Sequence, residues 1–199
     1  NCIPTVADEI RAAESQCDAY EDILGTYLIK VSSSKLSQAE SEEATMLLKV
    51  IGDYERISDH AVNILESAEE LRDKKLSLSE EALKEYKTLA KAIDEILTLS
   101  ETAFVRADTQ MAANVEPLEQ VVDYMKDRFR TNHILRMQKK QCSVEVGFVW
   151  SDLLTNLERV SDHCSNIAGC VIDNAEHNLN LHETLKKARD DSEQYQMAY

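Results

Sequence analysis

The sequence predicts an all-α fold, six helices arranged as two tandem three-helix bundles related by an internal repeat. Three observations predict it. The 199 residues hold only 4 Gly and 2 Pro, too few for the turns a sheet requires. Apolar residues recur in alternating steps of three and four, with no strand alternation. A twelve-residue stretch also returns 103 positions later, the mark of a duplicated unit. Apolar residues at 43% and charged residues at 30% suit a globular chain rather than a disordered one.

The elements follow from where helix-hostile residues cluster. The first segment carries Ile3, Val6, Ile10, Ala13, Cys17, Tyr20, Leu24, Tyr27 and Val31 as its seam, and Pro4 sits where it can open a helix. Ser32, Ser33, Ser34 and Ser37 break it. The second carries Leu47, Val50, Tyr54, Ile57, Ala61, Ile64, Ala68 and Leu71. It ends between Asp73 and Ser79, where Ser77 and Glu80 have the spacing of a capping box. The third offers Leu83, Tyr86, Ala90, Ile93 and Leu97 up to a break near Asp108. The fourth contains Pro117, a point of restart or kink, and stops at Gln141-Cys142-Ser143. The fifth runs Val146, Trp150, Leu153, Leu157, Val160, Cys164, Ile167 and Val171. A short sixth follows Asn178-Leu179-Asn180. Each long seam has two apolar residues per heptad, the pattern of helices crossing at small angles.

The charge narrows the function. Thirty-seven acids against 22 basic residues leave −15, which argues against nucleic acid as a partner, because phosphate binding needs clustered Lys and Arg. No apolar run nears the roughly 18–20 residues that span a bilayer, so this region itself is not expected to insert into a membrane. The five cysteines include no C-x-x-C pair and read as reduced thiols of a helical chain in a cytosolic compartment.

The repeat pairs Asp53–Ile64 with Asn156–Ile167; seven of the twelve positions are identical, including Glu55/Glu158, Asp59/Asp162 and His60/His163. A weaker echo at an offset of 101 sets Asp18–Leu24 against Glu119–Met125. The division is therefore residues 1–107 and 108–199, three segments each.

Within the repeats stand four acid pairs spaced i,i+4: Glu55 with Asp59, Glu158 with Asp162, Asp18 with Asp22 and Glu119 with Asp123. Helical spacing puts both members of a pair on one face, where like charges repel mildly. About seven such pairs arise by chance in a chain this acidic, so the duplication is the informative part. Taking Leu157 as heptad position a, Glu158 falls at b and Asp162 at f, and the other pairs occupy the same places. All four point away from their own apolar stripe. This leaves two readings, a solvated surface or carboxylates from neighbouring helices converging on shared hard cations such as Mg2+, Mn2+ or oxidised iron. Arg56 and Arg159 can pair with Asp59 and Asp162 at i,i+3. Asn63 and Asn166 can orient those acids, and His60 and His163 flank the seam as satisfied half-buried imidazoles rather than ligands.

Enzyme readings find no support. No His has a Glu three residues before it, as a di-iron bundle requires. The motif order is Asp-His rather than the His-Asp of metal hydrolases, and neither a nucleophile elbow nor a phosphate-binding Gly loop occurs.

The duplicated E-R-[IV]-S-D-H-x-x-N-I resembles the PhoU family across nearly the whole chain. The resemblance implies two three-helix bundles whose E(D)-x-x-x-D motifs bind multinuclear metal clusters on the bundle surface. On that basis Glu55, Asp59, Glu158 and Asp162 match the motif of the second helix in each unit. Asp18, Asp22, Glu119 and Asp123 match that of the first helix. The metal would be iron, zinc, manganese or magnesium. Ser58 and Ser161 stand where the family often has Gly, and Asp53 faces Asn156 across the repeat. The stretch from Cys142 to Arg159 further resembles the cytosolic PhoU-like region of bacterial sodium/phosphate cotransporter proteins, consistent with a chain opening at Asn1 without a Met. The implied role is a non-catalytic regulatory module of phosphate transport. Its partner would be a phosphate transporter membrane domain in the same polypeptide, holding the module at the inner face of the cell membrane, or, for a free PhoU protein, a phosphate-specific ABC transporter and its sensor kinase, with a homo-oligomer as a further option. The alternatives are a metal-free helical scaffold that docks a partner through its acidic face and, more distantly, a metal-dependent phosphate-ester hydrolase.

Overall fold

A computed structural model describes residues 4–176, and every described element is helical. The helices are α1 (Pro4–Ser32), α2 (Gln38–Asp73), α3 (Glu80–Arg106), α4 (Thr109–Ala113), α5 (Val115–Gln138) and α6 (Val144–Glu176). The expected short sixth segment after Asn178 lies outside the described residues.

Local chemistry sets the boundaries. Ser37 and Glu40 form the capping box of α2: the Ser37 hydroxyl accepts from Glu40 N at 3.3 Å, and Ser37 N donates to the Glu40 carboxylate at 2.7 Å. The cap of α3 is Ser79, which accepts from Ala82 N at 3.2 Å, not Ser77 as the box spacing predicted. The first turn starts two residues later because Ser79 holds the extended conformation of an N-cap. Asp108 caps α4 through Gln110 N and Met111 N. The fourth segment breaks at Asn114 rather than kinking. Pro117, the third residue of α5, has no amide to bond the carbonyl four residues back, and its ring crowds that carbonyl, so the chain restarts.

The long helices α2 and α6 form an antiparallel pair: His60 Nδ1 lies 2.9 Å from Asn156 Oδ1, and His163 Nδ1 lies 2.8 Å from Asp53 Oδ1. These contacts are reciprocal, since His60 corresponds to His163 and Asp53 to Asn156. The repeat is thus expressed as an approximate twofold relation, with the two imidazoles stacked at its centre, ring centroids 5.7 Å apart. Asp53 also accepts from Asn166 Nδ2 at 3.2 Å. Asn166 therefore ties the two long helices together instead of orienting Asp162.

Around this pair, α1 lies along α2 and α5 along α6. Helix α3 packs on α4, α5 and α6, so the contiguous stretch α3–α6 holds the main core. Leu89 and Ile96 of α3, Leu118 and Val122 of α5, and Trp150, Leu154 and Cys164 of α6 are buried in it. Cys164 and Cys170 are free thiols pushed by burial to about 12 and about 11, unreactive interior groups.

The α1 seam is the exception. Its periodicity is sound, but among the described residues no third helix covers it. Tyr20 is 62% exposed and Leu24 43%, whereas their repeat equivalents Val121 and Met125 on α5, on which α3 packs, are exposed by 2% and 5%.

Candidate metal centre

In the first half, α1 and α2 bring three carboxylates together. Ligand oxygens of Glu14, Asp18 and Asp59 all lie within 4.8 Å of one another, and this is the one such group of three or more His, Cys, Asp or Glu side chains among the described residues. Glu55 sits beside them: its carboxyl is raised above the usual range by burial first, then by the Asp59 charge, and Asp18 adds to this. The Arg56 charge partly offsets this at Glu55, while among the described residues Glu14, Asp18 and Asp59 stand in no ion pair. Asp22, the expected partner of Asp18, lies one turn further along α1 and lines a shallow pocket with Tyr27 and Lys30. Glu14, one turn the other way, takes its place. Its repeat equivalent is Val115, so comparison of the two halves could not reveal it. Only its i,i+4 spacing to Asp18 points to it.

Three oxygens of like charge from two helices, with no basic group among them, make a donor set suited to a hard cation of the Mg2+, Mn2+ or Fe3+ kind. The first-half residues therefore fit the metal that the motif implies.

The second half is built differently. Glu119 and Asp123 come from α5, Glu158 and Asp162 from α6, but Lys126 stands between them. Its Nζ lies 2.8 Å from Glu158 Oε1 and 3.2 Å from Asp123 Oδ1. Arg159 reaches Asp162 with Nη1 at 3.0 Å, the i,i+3 pair the spacing anticipated. Glu119 and Glu158 are also buried rather than on the outer surface. A two-per-heptad seam understates the covered arc of α6, which packs on α2, α3, α4 and α5. Beneath them the buried Glu116 accepts from the Ser165 hydroxyl, and Gln120 donates to Glu119. Burial first, then the neighbouring Glu116 charge, pushes the Glu119 carboxyl up to about 7. Asp162 is raised as well, chiefly by burial and then by Glu158. Among the described residues these acids do not close into a trio of the first-half kind. As placed, they do not fit a metal, because the protein's own cations already hold three of the four.

An all-helical, internally duplicated body with an acid motif on the central helix of each half defines a class of paired-bundle proteins. The family model for the PhoU domain matches residues 4–68 and 86–171, and the chain belongs to the PhoU family. It is 31% identical over 147 residues to the phosphate-specific transport system accessory protein PhoU homolog 1 of Thermotoga maritima, covering 74% of this chain and 62% of that protein. It thus spans less than two thirds of that relative's length. A PhoU homolog of the same accessory class from Deinococcus radiodurans is 23% identical over 164 residues, 80% of this chain and 74% of that protein. The fold matches the crystal structure of PhoU from Pseudomonas aeruginosa with a TM-score of 0.81 at 20% identity, over 87% of this chain and 83% of that one. It matches PhoU from Streptococcus pneumoniae at 0.74 and 18% identity, over 87% and 80%.

Proposed function

We propose that this chain is a non-catalytic regulatory module of phosphate transport that holds metal ions on its acidic helix surface and contacts the membrane domain of a phosphate transporter. The family and the accessory role named for its relatives support the regulatory part. The observation that carries the metal part is the convergence of Glu14, Asp18 and Asp59 from two helices, with Asp59 inside the family's duplicated motif. Binding a cation there would offset the repulsion among the three carboxylates and fasten α1 to α2. The Cys142–Arg159 stretch supports a transporter of the sodium/phosphate cotransporter type, which would hold the module at the inner membrane face. Among the described residues no helix is long and apolar enough to cross a membrane, so contact with such a domain would be through the helical surface.

Elemental analysis of protein purified without chelators tests the metal part. Bound iron, manganese or zinc in the wild type, lost in Asp59→Asn, is the expected result. The competing reading is a metal-free scaffold that docks through its acidic face, and one observation favours it: in the second half Lys126 and Arg159 already pair with three of the four motif acids. A wild type free of metal that still captures the transporter's membrane domain would establish that reading instead.

A further inference from the structure

In the second half a lysine bridges motif carboxylates from two helices. Lys126 is four-fifths buried, and its ammonium bonds carboxylates from two helices, Asp123 on its own α5 and Glu158 on α6. Arg159 serves Asp162. Three of the four motif acids in this half therefore have a positive partner supplied by the protein itself. Among the described residues the first half has no lysine at the equivalent place, and the positive charge that acts on Glu55 is that of Arg56. The repeat equivalent of Lys126 is Gly25, and a Cβ added at Gly25 would meet no atom within 4 Å, so packing does not demand glycine there. Arg56, the equivalent of Arg159, is exposed and makes no ion pair among the described residues.

We propose that Lys126 is the built-in cation of the second acidic cluster and keeps it free of metal, confining metal to the first-half acids Glu14, Asp18 and Asp59. A divalent ion entering beside Glu158 must expel the ammonium or share its carboxylates with it. Both are unfavourable where the charge is largely screened from water. The duplicated motif thus carries two unequal sites, one open to an exchangeable ion and one closed by a covalently attached charge. The first-half part rests on the metal reading given above.

Mn2+ titration of the metal-stripped chain, with free ion counted by electron paramagnetic resonance, separates the two claims. The wild type is expected to bind Mn2+ with an affinity that falls at least tenfold in Asp59→Asn and does not change in Asp162→Asn. Lys126→Gln is expected to bind additional Mn2+, which Asp162→Asn in that background abolishes, while Lys126→Arg gains none. Circular dichroism melts verify that each variant folds. The proposal is overturned if wild-type binding falls with Asp162→Asn, or if a folded Lys126→Gln gains no Mn2+. A wild type that binds none while Lys126→Gln binds some sinks the first-half metal reading and leaves the role of Lys126 standing.

Discussion

Glu119 shows what a single side chain contributes to the second acidic cluster. Burial and the adjacent Glu116 raise its carboxyl to about 7, so the folded protein keeps a proton there that the unfolded chain releases near 4.5. Between those two values the folded state binds more protons than the unfolded one, and stability therefore falls as pH rises from about 4.5 to about 7. The loss is fully present above 7 and amounts to roughly 3 kcal/mol. Glu119→Gln removes the ionisable group while keeping an acceptor for Gln120. Urea midpoints of the two proteins should coincide near pH 4.5 and separate above pH 7, with the variant the more stable. Midpoints that stay parallel across that range would show the carboxyl to be solvated instead.

Between elements, the apolar core of α3 and α5 is joined by an ion pair: Arg136 meets Glu85 through Nη1 at 3.0 Å and Nη2 at 2.7 Å, and Asn132 adds a bond of 2.8 Å to the same carboxylate. Both partners are nearly buried. Glu85→Ala leaves a buried guanidinium without its counterion, which should cost about 3–5 kcal/mol. Glu85→Ala with Arg136→Met should recover most of it, and thermal denaturation of the pair of variants checks this. Such cross-helix partners were not legible in the sequence, because Glu85 and Arg136 belong to no repeated motif. What was legible followed from repetition and period: the helices, their breaks and the duplicated acids. Features that differ between the halves escaped for the same reason. Glu14 faces Val115 across the repeat and Lys126 faces Gly25, so comparing the halves erased the residues that make their sites unequal. The cap of α3 was misplaced by two residues because the capping-box spacing fits Ser77, while backbone conformation selects Ser79.

At the scale of the molecule, the two halves differ in how well they are covered. Helix α3 completes the packing of α5 and α6. The α1–α2 pair keeps an open apolar groove lined by Leu24, Tyr27, Leu47, Ile51 and Tyr54, with only Phe104 of α3 reaching its edge. Local stability follows buried apolar contact, and α1 buries little beyond Ala7 and Leu28, against the almost wholly covered middle of α6. Backbone amides of α1 should therefore exchange with solvent deuterium at least tenfold faster than those in the middle of α3 and α6. A metal shared by Glu14 and Asp18 of α1 with Asp59 of α2 would pin the weaker helix, since a ligand that binds only the closed state stabilises it by RT ln(1 + [L]/Kd). Saturating Mn2+ should then slow exchange around positions 10–22 of the wild type by up to about a hundredfold at a hundred times Kd, and leave Asp59→Asn unchanged. Hydrogen–deuterium exchange read by mass spectrometry resolves these stretches. Equal protection of α1 and α3 without metal would mean that the α1–α2 groove is covered in solution, whereas slowing by Mn2+ that persists in Asp59→Asn would place the ion elsewhere on the chain.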